Sequence, residues 1–344
     1  MIGRKTLLVL VATTLLLLFM ELMLRLGLLF LGYPFFLPAN YLPQKYYPFI
    51  EKMPDARPEK DARNILILGG SVVNTDWSRM EKRLDTLFQK SYPGIKKFNF
   101  FNVAMPGHSS LDNLIKYKLL KDRKFDLVIY YEAINENRAN NISDELFHPD
   151  YSHIKWYDEI NLLAAHPEMN VTVAPYVVHL VIKTVRQKLA HRQYISNDEV
   201  DPALASYGAH IKTAESYYNN VSAIAGFANE RKEPILLVKY ASFFPKGVKL
   251  TGEQADKKYF TPCFVVSPVT TWGKPDNVKK GIQVHNAMLE KVHKTHKSYM
   301  FDMSAVMPKD SVMFCDVCHL SEQGAQLFAK NLAGYVVSNK IIHQ

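Results

Sequence analysis

Five short apolar runs separated by helical patterns constrain the fold of this chain more than any other feature. The runs are Asn64 to Gly69, Phe98 to Ala104, Asp126 to Tyr131, Pro234 to Tyr240 and Ser298 to Met303. Near-continuous apolar character over so few residues suits strands buried on both faces of a parallel sheet. Between and after them, helical periodicity covers Arg79 to Lys90, Ser110 to Lys121, Ser216 to Arg231, Val278 to His296 and Ser321 to Val337. Strands alternating with helices predict a doubly wound α/β sheet with helices on both faces. The stretch 137–215 breaks the alternation and is too long for a plain connection, so a helical insertion or lid is expected there.

Two N-terminal segments precede this pattern. Residues 1–32 carry Arg4 and Lys5, then a run without charge from Thr6 to Met20, and apolar character resumes after Arg25. A bilayer core takes about 20 helical residues, which this segment supplies. Glu21 and Arg25 interrupt it at i,i+4 spacing, where they can pair, and Arg25 is expected to snorkel to the headgroups. With no small-residue cleavage site after the run, the segment reads as an uncleaved signal anchor. Its basic flank places residue 1 in the cytoplasm and everything after about residue 32 on the far side of the membrane. Residues 33–62 hold six prolines, a density expected to deny helix and sheet and to leave an extended stalk, able to pack on the domain surface. The main domain is then expected over residues 63–344.

The net charge of +9, from 42 Lys and Arg against 33 Asp and Glu, raises a nucleic-acid role. The basic residues are scattered except over 277–297, where Ile282, Leu289 and Val292 recur at helical spacing between lysines. That is a solvated amphipathic helix, without the aromatic platforms of a nucleic-acid groove.

The chemistry-bearing residues stand at the carboxyl ends of the strands, where ligands bind in such sheets. Gly69-Gly70-Ser71 follows the first strand, and its glycines permit a tight turn that leaves the serine accessible. Gly107 follows the second, with His108 and Ser109 behind it; Asn135 follows the third, flanked by Glu132 and Glu136. Beyond the fifth stands Phe314-Cys315-Asp316-Val317-Cys318-His319-Leu320, which has two readings. As C-x-x-C-H it is a c-type haem attachment run; as D-x-x-H it supplies the acid and base of a serine hydrolase. An α/β pattern that already accounts for Asp316 and His319 favours the second. A zinc site on Cys315, Cys318 and His319 is disfavoured because adjacent residues rarely ligate one ion. Cys263 is able to pair with Cys315 or with Cys318, and the sequence does not choose.

Serine, glycine, asparagine and histidine in this chain order resemble the four blocks of the SGNH, or GDSL-like, hydrolase superfamily, in its membrane-anchored bacterial form. The blocks here are ILILGGSVV, NVAMPGHSS, YEAINE and DVCHLSEQG. Two positions depart from the family pattern: Gly70 stands where an acidic residue is usual, and Ala133 where a glycine is usual. The resemblance implies a flavodoxin-like three-layer α/β/α sandwich with a five-stranded parallel sheet. It implies a nucleophile at Ser71, a base at His319, an orienting acid at Asp316, and an oxyanion hole from Ser71, Gly107 and Asn135. It implies an acyl-ester substrate, with an acetylated envelope glycan as the expected form, and neither a cofactor nor a metal. An O-acyltransferase using the same acyl-enzyme, or a non-catalytic glycan-binding or assembly protein of the envelope, are the alternatives.

Overall fold

The structure is a computed structural model that describes residues 3–189, 194–197, 199–250 and 258–343. Its centre is a five-stranded sheet of β1 (Ala62–Gly69), β2 (Lys97–Asn102), β3 (Leu127–Tyr131), β4 (Ile235–Val238) and β5 (Tyr299–Phe301), in the order β2-β1-β3-β4-β5. Every neighbouring pair is parallel. This is the flavodoxin-like order expected, and the direction of strand progression reverses between β1 and β3, which opens a crevice above them.

The strands are sided as their pleat requires. Ile65 and Ile67 of β1, with Leu127 and Ile129 of β3, pack against Leu84 and Phe88 of α2 (Met80–Ser91) and Phe328 and Leu332 of α8 (Glu322–Ser338). Leu66, Leu68, Val128 and Tyr130 face the other way. There they meet Tyr117 of α3 (Ser110–Leu119), Val221 and Ile224 of α6 (Thr213–Glu230) and Leu289 of α7 (Pro275–Thr295). Each central strand buries apolar side chains on both faces, which is why its sequence shows no alternation. At the sheet edge β5 has only three residues, all half-buried, where a longer run was expected.

Within 137–215 the chain forms α4 (Lys155–Ala164) and α5 (Ala174–Leu189), joined to the domain through the buried rings of Tyr151, Tyr157 and Tyr176. The proline-rich segment departs from the extended chain expected of it. It contains helices Tyr41–Tyr46 and Pro48–Glu51 and buries Leu37, Tyr46, Tyr47 and Ile50 in the core. Pro43 and Pro48 both stand in first turns, where the missing N–H has no helical partner to lose.

α1 (Arg4–Phe30) is long and apolar enough to cross a membrane, and most of its surface is exposed. The Glu21–Arg25 pair forms, at 2.8 Å. Arg25 does not reach outward as expected; it is buried and donates to the carbonyls of Phe35 at 3.0 Å and Val171 at 3.1 Å. Glu21 in turn accepts from Thr172 Oγ1 at 2.8 Å and the backbone N–H of Val173 at 2.9 Å. Three bonds inside the protein replace the solvation that a headgroup would have given the guanidinium.

Candidate active site

β1 runs into two glycines that close packing demands. A Cβ on Gly69 would lie 2.7 Å from the Tyr131 carbonyl, and one on Gly70 would lie 2.0 Å from Oε2 of Glu132. Ser71 then opens a single 3-10 turn, Ser71–Val73. Asn74 laces this turn to the next loop by donating to the Ala104 carbonyl at 2.7 Å, and Asn102 donates to the Val73 carbonyl at 2.8 Å. In that second loop Gly107 has a φ of +77°, a conformation natural to glycine. Ser109 caps α3 in a capping box with Asp112, so its hydroxyl serves the helix.

Ser71, Asp316 and His319, separated by up to 248 residues, meet in one hydrogen-bonded line. Ser71 Oγ lies 2.7 Å from His319 Nε2, and His319 Nδ1 lies 2.5 Å from Asp316 Oδ2. Asp316 is held from behind: Oδ1 accepts the backbone N–H groups of Cys318 at 2.8 Å and His319 at 2.7 Å, and Oδ2 accepts that of Ser267 at 2.7 Å. Burial acts to raise the Asp316 carboxyl, yet the neighbouring His319 and these N–H groups prevail and hold it below the usual carboxylate range. The acid is therefore ionised, and the imidazole is fixed with Nδ1 as donor and Nε2 free to accept from Ser71.

Asn135 sits beside Gly70, its Nδ2 only 2.7 Å from where a Cβ there would stand. The amide is oriented on every side: Trp272 Nε1–H donates to Oδ1 at 3.0 Å, and Nδ2 donates to the His108 carbonyl at 3.0 Å and Glu132 Oε2 at 3.2 Å. Glu132 Oε1 also accepts the Asn135 backbone N–H at 2.8 Å. Burial pushes Glu132 up to about 8, against the backbone N–H bonds that act to lower it. Glu136 does not join this group; it accepts from the backbone N–H of Ser110 and from Tyr151, and burial pushes it up to about 7. Neither glutamate is solvated.

Two tryptophans that no local motif marks also stand at this site. Trp77 lies with its ring 4.2 Å from that of His319, and Trp272 steers Asn135 across 137 residues. A cavity of about 570 Å³ opens at His319, lined among others by Trp77, Arg79, Thr261, Phe264 and Glu322.

The cysteines settle the C-x-x-C-H question. Cys315 is bonded to Cys263, so one of the two thiols that haem attachment requires is already used. Cys318 is free and buried, and burial holds its thiol well above the ordinary range. Asp316, Cys318 and His319 offer ligand atoms within 4.8 Å of one another. A protonated thiol, and an imidazole already bonded at both nitrogens, make that a poor donor set for a cation.

No family model matches the chain, and no curated protein does. Among solved structures, the chain is similar to a GDSL-like lipase from Bacteroides thetaiotaomicron, at 13% identity and a TM-score of 0.44, covering 88% of this chain and 98% of that one. It is also similar to an acetyl xylan esterase from Geobacillus stearothermophilus, at 10% identity and a TM-score of 0.43, with 80% and 94% covered.

Proposed function

We propose that this protein is a membrane-anchored serine esterase of the SGNH type, acting on O-acyl esters through Ser71, His319 and Asp316. The observation that carries the reading is the continuous bond line from Ser71 Oγ through His319 to a buried, ionised Asp316. A serine is a poor nucleophile at its own pKa and needs a base aligned to take its proton. In this reading His319 Nε2 takes that proton as Oγ attacks the ester carbonyl, and Asp316 stabilises the imidazolium. His319 then returns the proton to the leaving alkoxide, and water hydrolyses the acyl-enzyme by the same route.

The backbone N–H groups of Ser71 and Gly107 and the amide of Asn135 form the oxyanion hole. An oxyanion beside Ser71 takes over the Asn135 N–H that donates to Glu132 at 3.2 Å, the longer of its two bonds. With its pKa near 8, Glu132 keeps its proton at neutral pH and puts no negative charge beside the oxyanion.

α1 is the anchor, with the main domain, residues 63–344, on the non-cytoplasmic side. The Cys263–Cys315 disulfide supports that side, because such bonds persist in oxidising compartments. An acyl group on an envelope glycan, acetyl being the simplest, is the substrate proposed for a domain held there.

The test is intact mass of the purified full-length chain before and after a fluorophosphonate. One adduct on Ser71, absent from His319→Ala, is expected. An unmodified wild-type mass would overturn the reading and leave a binding protein.

A further inference from the structure

We infer that α5 is a second membrane contact, a helix lying in the lipid interface beside α1; this rests on the reading that α1 spans the bilayer. α5 buries one face through Tyr176 and directs Lys183 inward to Asp158 at 2.7 Å. The opposite face exposes Val178, Val181, Ile182, Val185 and Leu189, each between 46 and 77% accessible. These positions follow the i, i+3, i+4, i+7 rule, so they form one stripe. A helix on the surface of a water-bathed domain turns its polar side outward. α5 turns out a second apolar side, with Arg186 and Lys188 on its two flanks. An apolar stripe edged by cations is the form of a helix whose side chains sink among acyl chains while its charges reach the headgroups.

The attachment of α5 to α1 identifies the occupant as lipid. A span of about 20 residues starting near Arg4 ends around Glu21 to Arg25. That is where the chain entering α5 is fastened, through Thr172 and Val173 to Glu21 and through the Val171 carbonyl to Arg25. Tyr33 and Tyr176 join their hydroxyls at 2.7 Å just beyond, and Phe30, Phe36 and Val171 stand exposed around the junction. The stripe therefore begins at the depth where α1 leaves the hydrocarbon. Two contacts, where α1 alone would act as a pivot, fix the tilt of the domain against the surface.

The test reconstitutes the full-length chain into phosphatidylcholine–phosphatidylglycerol vesicles with an environment-sensitive fluorophore on single cysteines. The variants are Val181→Cys, Val185→Cys, Leu15→Cys in α1 and Lys90→Cys on the far face of the sheet. The native thiols are bonded or buried. Val181 and Val185 labels are expected to be quenched several-fold more than the Lys90 label by shallow doxyl lipids, and to be shielded from aqueous iodide. Iodide quenching equal to that at Lys90, with the Leu15 label still lipid-quenched, would overturn the inference and leave the anchor standing. Labels at 181 and 185 shielded from both quenchers would mean that protein covers the stripe, which also overturns it. A Leu15 label that lipid does not quench would remove the anchor and the inference together.

Discussion

Gly70 and Glu132 explain each other. The family resembled here carries an acidic side chain before its serine, and in this chain the Glu132 carboxyl enters the space that a side chain at 70 would fill. Gly70→Asp is therefore expected to displace Glu132, disturb Asn135 and reduce fluorophosphonate labelling more than tenfold. Adding Glu132→Gly is expected to recover part of it, a coupling that a double-mutant cycle reads directly. Asn135→Ala should slow aryl-acetate turnover roughly 100- to 1000-fold with the fold intact, the usual cost of one oxyanion donor. Activity near wild type would remove Asn135 from the mechanism. Glu132 also sets a pH dependence. Its folded pKa of about 8 means that it ionises as pH rises through that value, placing a charge beside the developing oxyanion. Wild-type kcat should fall across that window, while Glu132→Gln, which cannot ionise, should hold its rate; parallel alkaline profiles for the two would contradict this assignment.

At the scale of elements, the last loop is positioned by what lies on either side of it. Ser321 caps α8 by accepting the Gly324 N–H, and Gly324 passes so close that a Cβ would lie 2.1 Å from the Met313 carbonyl. On the other side the disulfide ties residue 263 to residue 315, and four residues beyond Cys263 the Ser267 N–H reaches Asp316. Closing a loop with a separation of 52 residues restricts the unfolded chain by about 4 kcal/mol on the chain-entropy account. Replacing Cys263 and Cys315 together by alanine is expected to lower unfolding free energy by about 2–4 kcal/mol in a urea titration. Because Asp316 loses the restraint on one of its N–H donors, kcat should fall as well. Stability lost with kcat intact would separate the clasp from the chemistry.

Across the whole molecule, buried histidines govern behaviour in acid. His285 has Nδ1 against the Ala133 carbonyl at 2.9 Å and Nε2 against Thr213 Oγ1 at 2.8 Å, and burial lowers it from 6.5 to about 3. Burial likewise lowers His108 to about 4. Each stays neutral in the fold while the unfolded chain binds a proton, so their stability contribution is lost as pH falls from about 6.5 toward 3 or 4. Glu132 and Glu136 have the opposite sign: raised in the fold, they contribute most below about 4.5, and that stability is lost as pH rises through 7 to 8. The two effects oppose each other between pH 4.5 and 6.5. Below that the histidines and the lowered Asp316 act unopposed, so steep acid unfolding is expected there. His285→Gln should flatten the melting-temperature profile between pH 3 and 6, and an unchanged slope would count against its role.

The sequence by itself determined the sheet, because central parallel strands are buried on both faces and must be apolar where they are covered, as Ile65 to Leu68 of β1 and the whole of β3 are. It determined the apolar character of α1, and it singled out Ser71, Gly107 and Asn135 after strands and Asp316 and His319 in the loop before the last helix, since those groups stand beside local signatures of turn and helix start. Tertiary structure alone decided how they are held. Glu132 over Gly70, Trp272 on Asn135 and Cys263 with Cys315 are contacts between residues 52 to 137 apart or on different strands, and no local pattern encodes such a distance. It also decided the fate of Arg25 and of the proline-rich segment. Proline excludes helix from interiors but not from first turns, and an arginine near the end of a span takes whichever acceptors the folded domain brings within reach.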